Sequence, residues 1–369
     1  MKNTFLIAAG FLLASCSSGL VVEVTNSTDL DREHETVELA WSELTTLKDI
    51  TPENVVVMQD DEQIPSQVIY RGNTQPIALL FQAEVDAKEM EKYVVTTGVR
   101  ENYRTQAYGR YVPERKDDYA WENNKVAYRL YGPGLETELV SPGIDVWVKS
   151  TDRLIVDEWF ARNDYHHNYG DGMDCYKVGP TLGAGACAPF IDGKLWLSHN
   201  YATQECLDNG PIRTTVKLTY APFDANGRQV SLTKYISLDA NNHFNRMENN
   251  YDGEFDTLSV ATGFVRHDVK GVRTGTDWLA MYEASSDTKD PVRDGNIYFG
   301  ILLPKAQFLP DSVGHVLAVT PVIKGQLMTY YCGSGWSLAG ITDFNEWIEM
   351  IHEEQAALIT PLTVTVVKR

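Results

Sequence analysis

Two alternating segments joined by an Asn-Gly turn constrain the fold of this chain more than any other feature. In residues 214–220, apolar side chains alternate with Thr and Lys, a period of two that is typical of a β-strand with one buried face. Residues 230–238 form the second segment and follow across Asn226-Gly227, the strongest short signal for a β-hairpin. This pair predicts antiparallel β-structure.

Short segments of the same kind recur along the chain, and one late stretch has a helical pattern instead. There Asp343 and Glu346 have the spacing of a capping box, and apolar residues follow from Phe344 at i, i+3, i+4 and i+7. We therefore expect an all-β protein with one late helix. A small N-terminal β-sandwich is predicted in residues 16–112, and a large two-sheet sandwich in residues 113–369.

The first residues have the pattern of a bacterial lipoprotein signal. Lys2 is positive, residues 5–13 are apolar but too short to span a bilayer, and Leu13-Ala14-Ser15 places small residues before Cys16. We expect removal of residues 1–15 and lipid attachment at Cys16. That would anchor the protein to a bacterial membrane, facing the periplasm or the cell surface. The alternative is an ordinary secretory signal with an incidental cysteine.

The charge of the chain excludes one class of partner. The formal net charge is −19, and removal of Lys2 with the signal leaves 31 basic and 51 acidic residues, or −20. Nucleic-acid binding needs a basic surface, which this composition does not supply. An anionic ligand would need a local basic pocket, so single Arg and Lys residues near the site carry more information than the total.

Residues 164–187, hereafter the focal loop, form the candidate active site. The loop holds two histidines, three aspartates, a lysine, three tyrosines and five glycines, with neither helical nor strand periodicity. Long loops of this kind in compact domains are often functional. Two of its residues are cysteines, and in an exported protein they are compatible with a disulfide or with buried free thiols. The four cysteines after Cys16 allow three pairings: Cys175, Cys187, Cys206 and Cys332.

Four side chains of the focal loop are candidate catalytic groups, and a fifth is a candidate substrate ligand. His166 and His167 suit a base and an acid because imidazole titrates near neutrality. Asp174 is a candidate for orienting a histidine, and Lys177 for meeting a substrate carboxylate. Asp171 is a candidate for binding sugar hydroxyls, or for forming with Asp174 the carboxylate pair of a glycoside hydrolase. Structural hydrogen bonds and turn formation are the alternative roles.

Candidates outside the loop complete the predicted pocket. Arg246, Arg266 and His267 are candidate partners for an anionic substrate group, with structural ion pairs as the alternative. Trp336, between Gly335 and Ser337, is a candidate for stacking on a sugar ring. No metal site and no cofactor is predicted, because the spacing of histidines and aspartates is too loose to indicate one.

Several motifs together resemble a known family. They are Y-R-L-Y-G-P-G in residues 128–134, D-V-W-V-K in residues 145–149, G-D-G-M-D-C-Y-K-V-G-P-T-L-G-A-G in the focal loop and G-S-G-W in residues 333–336. They resemble an uncharacterised group of exported bacterial proteins encoded in polysaccharide-utilisation loci, and the similarity covers most of residues 20–369. The resemblance implies a galactose-mutarotase-like supersandwich after a small β-domain. Some members of that group resemble oligosaccharide dehydratases, which remove water from a non-reducing-end uronic acid.

These observations lead to one main hypothesis and three alternatives. Elimination needs a base for the C5 proton, positive charge or strong donors for the enolate, and an acid for the departing oxygen. The focal loop holds candidates for all three, so the leading hypothesis is a lipid-anchored lyase that acts on an anionic oligosaccharide. Hydrolysis or mutarotation in the same pocket, and non-catalytic glycan binding, are the alternatives.

Overall fold

Strands dominate the computed structural model, which describes residues 19–285 and 291–367. The first strands are β1 (Leu20–Thr25), β2 (Arg32–Ala40), β3 (Val55–Gln59), β4 (Glu62–Ile64), β5 (Ser66–Ile69), β6 (Ala78–Val85) and β7 (Met90–Thr97). They are followed by β8 (Ala107–Val112), β9 (Asp118–Asn123), β10 (Ala127–Leu130), β11 (Ile144–Lys149), β12 (Gly172–Asp174), β13 (Ala184–Ile191), β14 (Lys194–Leu195), β15 (Thr203–Asp208), β16 (Arg213–Asp224) and β17 (Gln229–Asp239). The last are β18 (Phe244–Gly253), β19 (Thr257–Val265), β20 (Val269–Gly275), β21 (Trp278–Ala284), β22 (Asn296–Leu302), β23 (Gln307–Ser312), β24 (His315–Ile323), β25 (Met328–Trp336) and β26 (Thr363–Val367). The α-helices described are α1 (Trp41–Leu44), α2 (Val156–Arg162), α3 (Pro291–Asp294) and α4 (Phe344–Ile359), and Pro113–Arg115 and Pro133–Leu135 form 3-10 turns.

The first seven strands build a small sandwich with its own core. One sheet has the order β26-β1-β7-β3-β4 and the other β2-β6-β5. Val22 and Val24 of β1 and Tyr93 of β7 are buried between them because their side chains alternate inward. The last strand, β26, pairs antiparallel with β1. The predicted domain boundaries placed residues 363–367 in the large domain, whereas the structure returns this strand to the small sandwich.

Three sheets build the large sandwich. The eight-stranded sheet has the order β15-β16-β17-β18-β25-β22-β21-β20, and the two five-stranded sheets have the orders β12-β11-β10-β9-β8 and β14-β13-β19-β24-β23. A bridge between Ile144 and Gly183 joins the two smaller sheets side by side. Buried side chains of all three sheets form one hydrophobic cluster. The predicted all-β class, with a small N-terminal sandwich before a large supersandwich, is confirmed.

The predicted hairpin is confirmed as β16 and β17. The two strands pair antiparallel from Arg213↔Asp239 to Asp224↔Gln229. In the turn, Asn226 has φ 59° and Gly227 φ 79°, the left-handed values that a tight hairpin turn demands. The strands bury their predicted apolar face in the shared core and present Lys217 on the opposite face, hereafter the outer face of the eight-stranded sheet.

The predicted late helix is confirmed as α4. The Asp343 carboxylate accepts hydrogen bonds from the backbone N–H of Asn345 and Glu346, and the Glu346 side chain accepts from the backbone N–H of Thr342. Trp347 and its apolar neighbours pack on the outer face of the eight-stranded sheet, over β21 and β22. Within residues 19–285 and 291–367, the three other helices have seven residues or fewer, and no helix is long and apolar enough to cross a bilayer.

The small sandwich also contacts the outer face of this sheet. The Gln67 side chain accepts hydrogen bonds from the backbone N–H of Ile212 and Arg213. Gln82 donates to the Ala240 carbonyl at 2.8 Å. These polar contacts hold the small sandwich beside α4, so that a groove remains between them on the outer face.

Candidate functional site

The focal loop covers a buried charge cluster around Arg129. Its guanidinium donates to Asp145 at 2.6 Å and to Asp174 at 2.9 Å, and it lies 3.9 Å from Asp118. All four residues are buried. One cation that faces three carboxylates in a low-dielectric environment is an expensive arrangement, and one oxygen of Asp145 has no hydrogen-bond partner among the described residues. Asp174 therefore serves first as a partner of Arg129.

Electrostatics and packing in the Arg129 cluster agree with a structural role. Burial raises the pKa of Asp118 to about 6, although Arg129 opposes the shift. Burial, together with the negative charge of Asp174, also raises the pKa of Asp145. The guanidinium carbon of Arg129 lies 4.7 Å from the ring centre of Tyr131 and 5.6 Å from that of Tyr165. The guanidinium is enclosed by protein groups on all these sides.

The two histidines of the focal loop lie on its solvent side. His166 Nδ1 is 3.1 Å from the Asp174 carbonyl oxygen and 3.6 Å from the Asp174 carboxylate, and 54% of the side chain is exposed. His167 is exposed and packs its ring against Tyr169, with 4.6 Å between ring centres. The structure thus places the exposed His166 beside the buried Asp174.

Other candidates in the focal loop also have protein partners. The Asp171 carboxylate is 3.3 Å from Arg153 and 3.9 Å from Arg162. The Lys177 side chain is exposed and makes no ion pair within the described residues, while its carbonyl oxygen accepts a hydrogen bond from His267 at 2.8 Å. Gly183 has φ 58°, and a Cβ there would lie 2.2 Å from the Ile144 carbonyl oxygen. Glycine is therefore needed here because two strands lie in close contact, and not because a ligand approaches the backbone.

His267 anchors the focal loop to the large sandwich. Its Nδ1 is 2.7 Å from the buried Glu283 carboxylate, and its Nε2 is 2.8 Å from the Lys177 carbonyl oxygen. Both partners are acceptors, so both ring nitrogens donate only when the imidazole is protonated. Burial lowers the pKa of His267, but the hydrogen bond and charge of Glu283 outweigh it and leave the pKa raised.

The remaining predicted residues lie apart from the loop histidines. Arg266 donates to the Pro310 carbonyl oxygen at 2.6 Å and lies 3.7 Å from Asp311. Trp336 is only 2% exposed, and its indole N–H donates to the Asp294 carbonyl oxygen at 2.8 Å. The prediction that Trp336 stacks on a sugar requires a free ring face, which a buried indole does not offer.

No cysteine after residue 16 is in a disulfide. Cys175, Cys187 and Cys332 are buried free thiols, and Cys206 is an exposed one. Of the two readings of the focal-loop cysteines, the structure shows the buried thiols. Cys16, the predicted lipid attachment site, lies outside the described residues. Within those residues, no three side chains among the histidines, cysteines and acids are placed to hold a metal ion.

Arg246 lies in a groove of about 930 Å³ on the outer face of the eight-stranded sheet. This outer-face groove is lined by Arg246 and Tyr331 from the sheet, by His243 just before β18, by Glu354 from α4 and by much of residues 29–38 from the small sandwich. Arg246 and Tyr331 are direct cross-strand neighbours on β18 and β25. The Tyr331 hydroxyl makes no hydrogen bond within the described part of the chain.

Arg246 keeps part of its hydrogen-bonding capacity free. Its Nη2 donates to the buried Glu248 carboxylate at 3.0 Å, and Arg71 of the small sandwich donates to the other oxygen of Glu248 at 2.5 Å. The buried Nε of Arg246 has no hydrogen-bond partner among the described residues. Two guanidinium groups therefore share one carboxylate, and a positive charge remains beside the groove.

Two titratable groups at the edges of the groove have pKa values displaced in opposite directions. Burial lowers the pKa of His243 to about 4. Its Nδ1 is 2.9 Å from the Ser334 carbonyl oxygen, which can only accept, so Nε2 of the neutral ring carries the lone pair. Burial raises the pKa of Glu354 to about 7, with the charges of Asp239 and Glu35 adding to the shift and Asn242 and Arg32 opposing it. Such displaced pairs are typical of acid–base sites.

Several acids also line the groove, and most of those facing the sheet are paired. Arg213 forms ion pairs with Glu38 at 2.8 Å and with Asp239 at 2.6 Å. Arg32 pairs with Glu35 at 3.1 Å. The acids on residues 29–33 remain as an acidic rim on the side of the small sandwich.

Sequence reasoning included Arg246 but missed its neighbours in the groove. His243 precedes it by three residues, and Arg246 and Glu248 alternate on a strand whose other face is buried. Charged residues at alternate positions of a core strand were the available signal. Tyr331 and Glu354 come from distant parts of the chain, and no pattern in the sequence marks them as part of the groove.

The fold and the groove together define a class: a β-supersandwich protein with a groove between its small N-terminal sandwich and the late helix α4. The chain belongs to the family described as "Domain of unknown function (DUF4861)", whose model matches residues 24–364. An uncharacterised protein of Formosa agariphila, called P7, is 32% identical over 406 residues, which cover 98% of both chains.

Two solved structures from Enterococcus faecalis are similar in fold. A protein in glycosyl hydrolase family 38 matches with a TM-score of 0.53 and 9% identity, covering 95% of this chain and 48% of the other. An alpha-mannosidase matches with a TM-score of 0.49 and 9% identity, covering 95% of this chain and 46% of the other. This chain spans about half the length of each. At this identity, the likeness to the first structure establishes the fold alone.

Proposed function

We propose that this protein is a carbohydrate-active enzyme that eliminates water from the non-reducing-end uronic acid of an oligosaccharide, in the outer-face groove. The observation that carries the proposal is the convergence of Arg246, Tyr331, His243 and Glu354 in one groove. The fold of the family 38 glycosyl hydrolase protein supports a sugar as the substrate class. Fold alone does not determine chemistry, so the proposal rests on the groove.

The reaction requires a proton removed from C5, beside the sugar carboxylate, and loss of the oxygen on C4. Arg246 would bind the carboxylate and stabilise the negative charge that develops on it, since its side chain is 38% exposed and only its Nη2 is bonded to Glu248. The C5–H electron pair forms the C4=C5 double bond while the C4–O bond breaks. The C4 hydroxyl leaves as water after it receives one proton.

His243 and Glu354 would carry the two protons. His243 is neutral at working pH, and its Nε2 lone pair is free to accept the C5 proton. Glu354, with its raised pKa, is partly protonated near neutrality and would donate to the departing oxygen. The Tyr331 hydroxyl, next to Arg246, would hydrogen-bond to the sugar and hold C5 near the base.

Hydrolysis is the second candidate, and the acidic rim favours it. Glycoside hydrolases use two carboxyl groups, one of them protonated at working pH. Glu354 fits the protonated member, and the acids of residues 29–38 offer the second. In this reaction a water molecule is consumed and a new reducing end appears, whereas elimination releases water and leaves an unsaturated sugar.

We also propose that the protein works outside the cytoplasm, anchored by lipid on Cys16, in the breakdown of an acidic polysaccharide. The lipoprotein pattern at Leu13-Ala14-Ser15-Cys16 supports the anchor. Metabolic labelling with a fatty-acid analogue would attach label to the wild-type protein and not to Cys16→Ala. Labelling of both would contradict the anchor.

The test of the reaction is direct. Incubation with uronate-terminated oligosaccharides should generate ultraviolet absorbance from a conjugated double bond, and NMR should show a vinylic proton at C4. New reducing ends without absorbance would favour hydrolysis. Saturable binding without any product would indicate a glycan-binding protein and would overturn the catalytic proposal.

A further inference from the structure

A row of polar side chains crosses the outer face of the large sheet beside the groove. Lys217 on β16 is the direct neighbour of Tyr235 on β17, which is the direct neighbour of Glu248 on β18. Residues at these positions face away from the core, because the adjoining Val216 and Ile236 are buried. Lys217 and Tyr235 are half-buried. Ser237, the next outward residue on β17, and Arg246 line the groove, so the row lies beside the groove on the same face of the sheet.

Lys217 differs from the other cations of this face because no carboxylate compensates it. Arg71 and Arg246 both bond to Glu248. Lys217 makes no ion pair or hydrogen bond with any described residue, and Glu205, its direct neighbour on β15, is exposed and does not pair with it. Lys217 is therefore the cation of this row to which no described carboxylate is bonded, although the chain has a net charge of −19.

The small sandwich places a cation over the same row. Arg71 has φ 48°, a left-handed value that is uncommon for residues other than glycine. The Asp208 carboxylate holds this conformation by accepting hydrogen bonds from the backbone N–H of Tyr70 at 2.8 Å and of Arg71 at 3.2 Å. The guanidinium carbon lies 5.8 Å from the ring centre of Tyr235. The turn therefore fixes the Arg71 guanidinium above this row.

We propose that Lys217, Tyr235 and Arg71 form an anion-binding subsite for the sugar next to the terminal uronate. The subsite would take a sulfate ester or a second carboxylate, both of which present several oxygens to cationic and hydroxyl donors. The Tyr235 hydroxyl makes no hydrogen bond with any described residue and would be the third donor. This inference rests on the proposed function, and it extends the substrate class to oligosaccharides with negative charge on two successive sugars.

The spacing agrees with binding of two sugars. Arg246 and Lys217 face the same side of the sheet, two strands apart and offset by two residues along the strand. Strand spacing and rise place their Cα atoms about 12 Å apart. A disaccharide is long enough to place one anionic group near each of the two side chains.

Three synthetic trisaccharides with the same terminal uronate test the subsite. Their second sugar carries a sulfate ester, a carboxylate or only hydroxyls. Calorimetry with the full-length protein should show tighter binding of at least one charged trisaccharide than of the neutral one. Lys217→Gln should reduce that preference about tenfold, as expected for loss of one charge-assisted bond. Lys217→Arg should retain most of it, and Tyr235→Phe should reduce it less.

Lys305→Gln is the matched control, since Lys305 is an exposed lysine on another surface, and it should bind all three sugars as the wild type does. Equal affinity of the wild type for all three trisaccharides would overturn the subsite. An unchanged preference in Lys217→Gln would overturn it as well. Because binding is the readout, these outcomes are separate from the proposed reaction, which fails only if no trisaccharide is converted to an unsaturated product. Whether sulfate or carboxylate binds more tightly identifies the anion.

Discussion

The focal loop and the outer-face groove contain similar residue types, yet their charged side chains differ in how far the protein encloses them. In the focal loop, Asp174 is bonded to Arg129, and Asp171 lies beside two arginines. In the groove, the Arg246 side chain is 38% exposed and only its Nη2 is bonded to Glu248, while the Tyr331 hydroxyl makes no hydrogen bond with any described residue. Buried ion pairs form part of the folded structure, whereas donors on a part-exposed side chain are accessible to a ligand. The comparison favours a structural role for the charged residues of the loop and supports the proposal that the chemistry takes place in the groove.

The largest expected effect tests whether the Arg129 cluster beneath the focal loop stabilises the fold. Arg129→Leu leaves Asp118, Asp145 and Asp174 buried without their cation and should lower the free energy of unfolding by about 3 to 5 kcal/mol. Urea denaturation at neutral pH measures it.

The control for Arg129 is Arg104→Leu. It breaks an exposed pair with Asp152, whose two side chains are 56% and 73% exposed, and should change stability by less than about 1 kcal/mol. An Arg129→Leu protein that folds with wild-type stability but has no activity would place the chemistry in the loop and break the comparison.

The second prediction tests the proposal that catalysis takes place in the groove. His243→Gln and Glu354→Gln should each lower kcat/KM about a hundredfold or more, because each removes a proton-transferring group. The double variant His166→Ala/His167→Ala changes exposed side chains and should stay within about threefold of the wild type. Kinetics on one uronate oligosaccharide, with thermal melts to verify folding, provide the measurement. If the double histidine variant loses more kcat/KM than the two groove variants, the proton transfer takes place in the focal loop.

Elements set by local sequence were predictable. Asn226-Gly227 determines the hairpin turn, and Asp343 with Glu346 determines the start of α4, because these signals act between neighbours. The return of β26 to the small sandwich depends on pairing between residues at opposite ends of the chain. No local pattern marks such a pairing.

The candidate site was less predictable because a sequence does not show which polar groups are satisfied. Asp174 lies in a loop whose residue types suggest an active site, but its ion-pair partner Arg129 lies 45 residues earlier in the chain. Trp336 stands between small residues that suggest exposure, and it is buried. The sequence predicts Arg246 as a substrate ligand on its own. The proposed role of Arg246 depends on Tyr331 and Glu354, which line the same groove only in the folded chain.

The third prediction sharpens the roles within the groove through pH. Activity requires neutral His243, which is lost as the pH falls below about 4, and protonated Glu354, which is lost as the pH rises above about 7. The profile of kcat/KM should therefore be bell-shaped between these values, since it reports the free enzyme. In Glu354→Gln, the residual activity should lack the fall near pH 7. A fall that persists in this variant would assign it to another group.

The smallest expected effect concerns the anchor of the focal loop. Glu283 raises the pKa of His267 against the effect of burial, so protonated His267 stabilises the folded loop. A raised folded-state pKa gives a contribution that is fully present below the unfolded pKa of about 6.5 and is lost as the pH rises through the folded value. Hydrogen exchange in residues 164–187 should accordingly increase, beyond its intrinsic pH dependence, as the pH rises through that window. His267→Gln should remove this increase while changing kcat little, because the side chain holds Lys177 by its backbone and lies outside the groove. If instead His267→Gln abolishes turnover without altering exchange, the loop takes part in the reaction and its separation from the groove no longer holds.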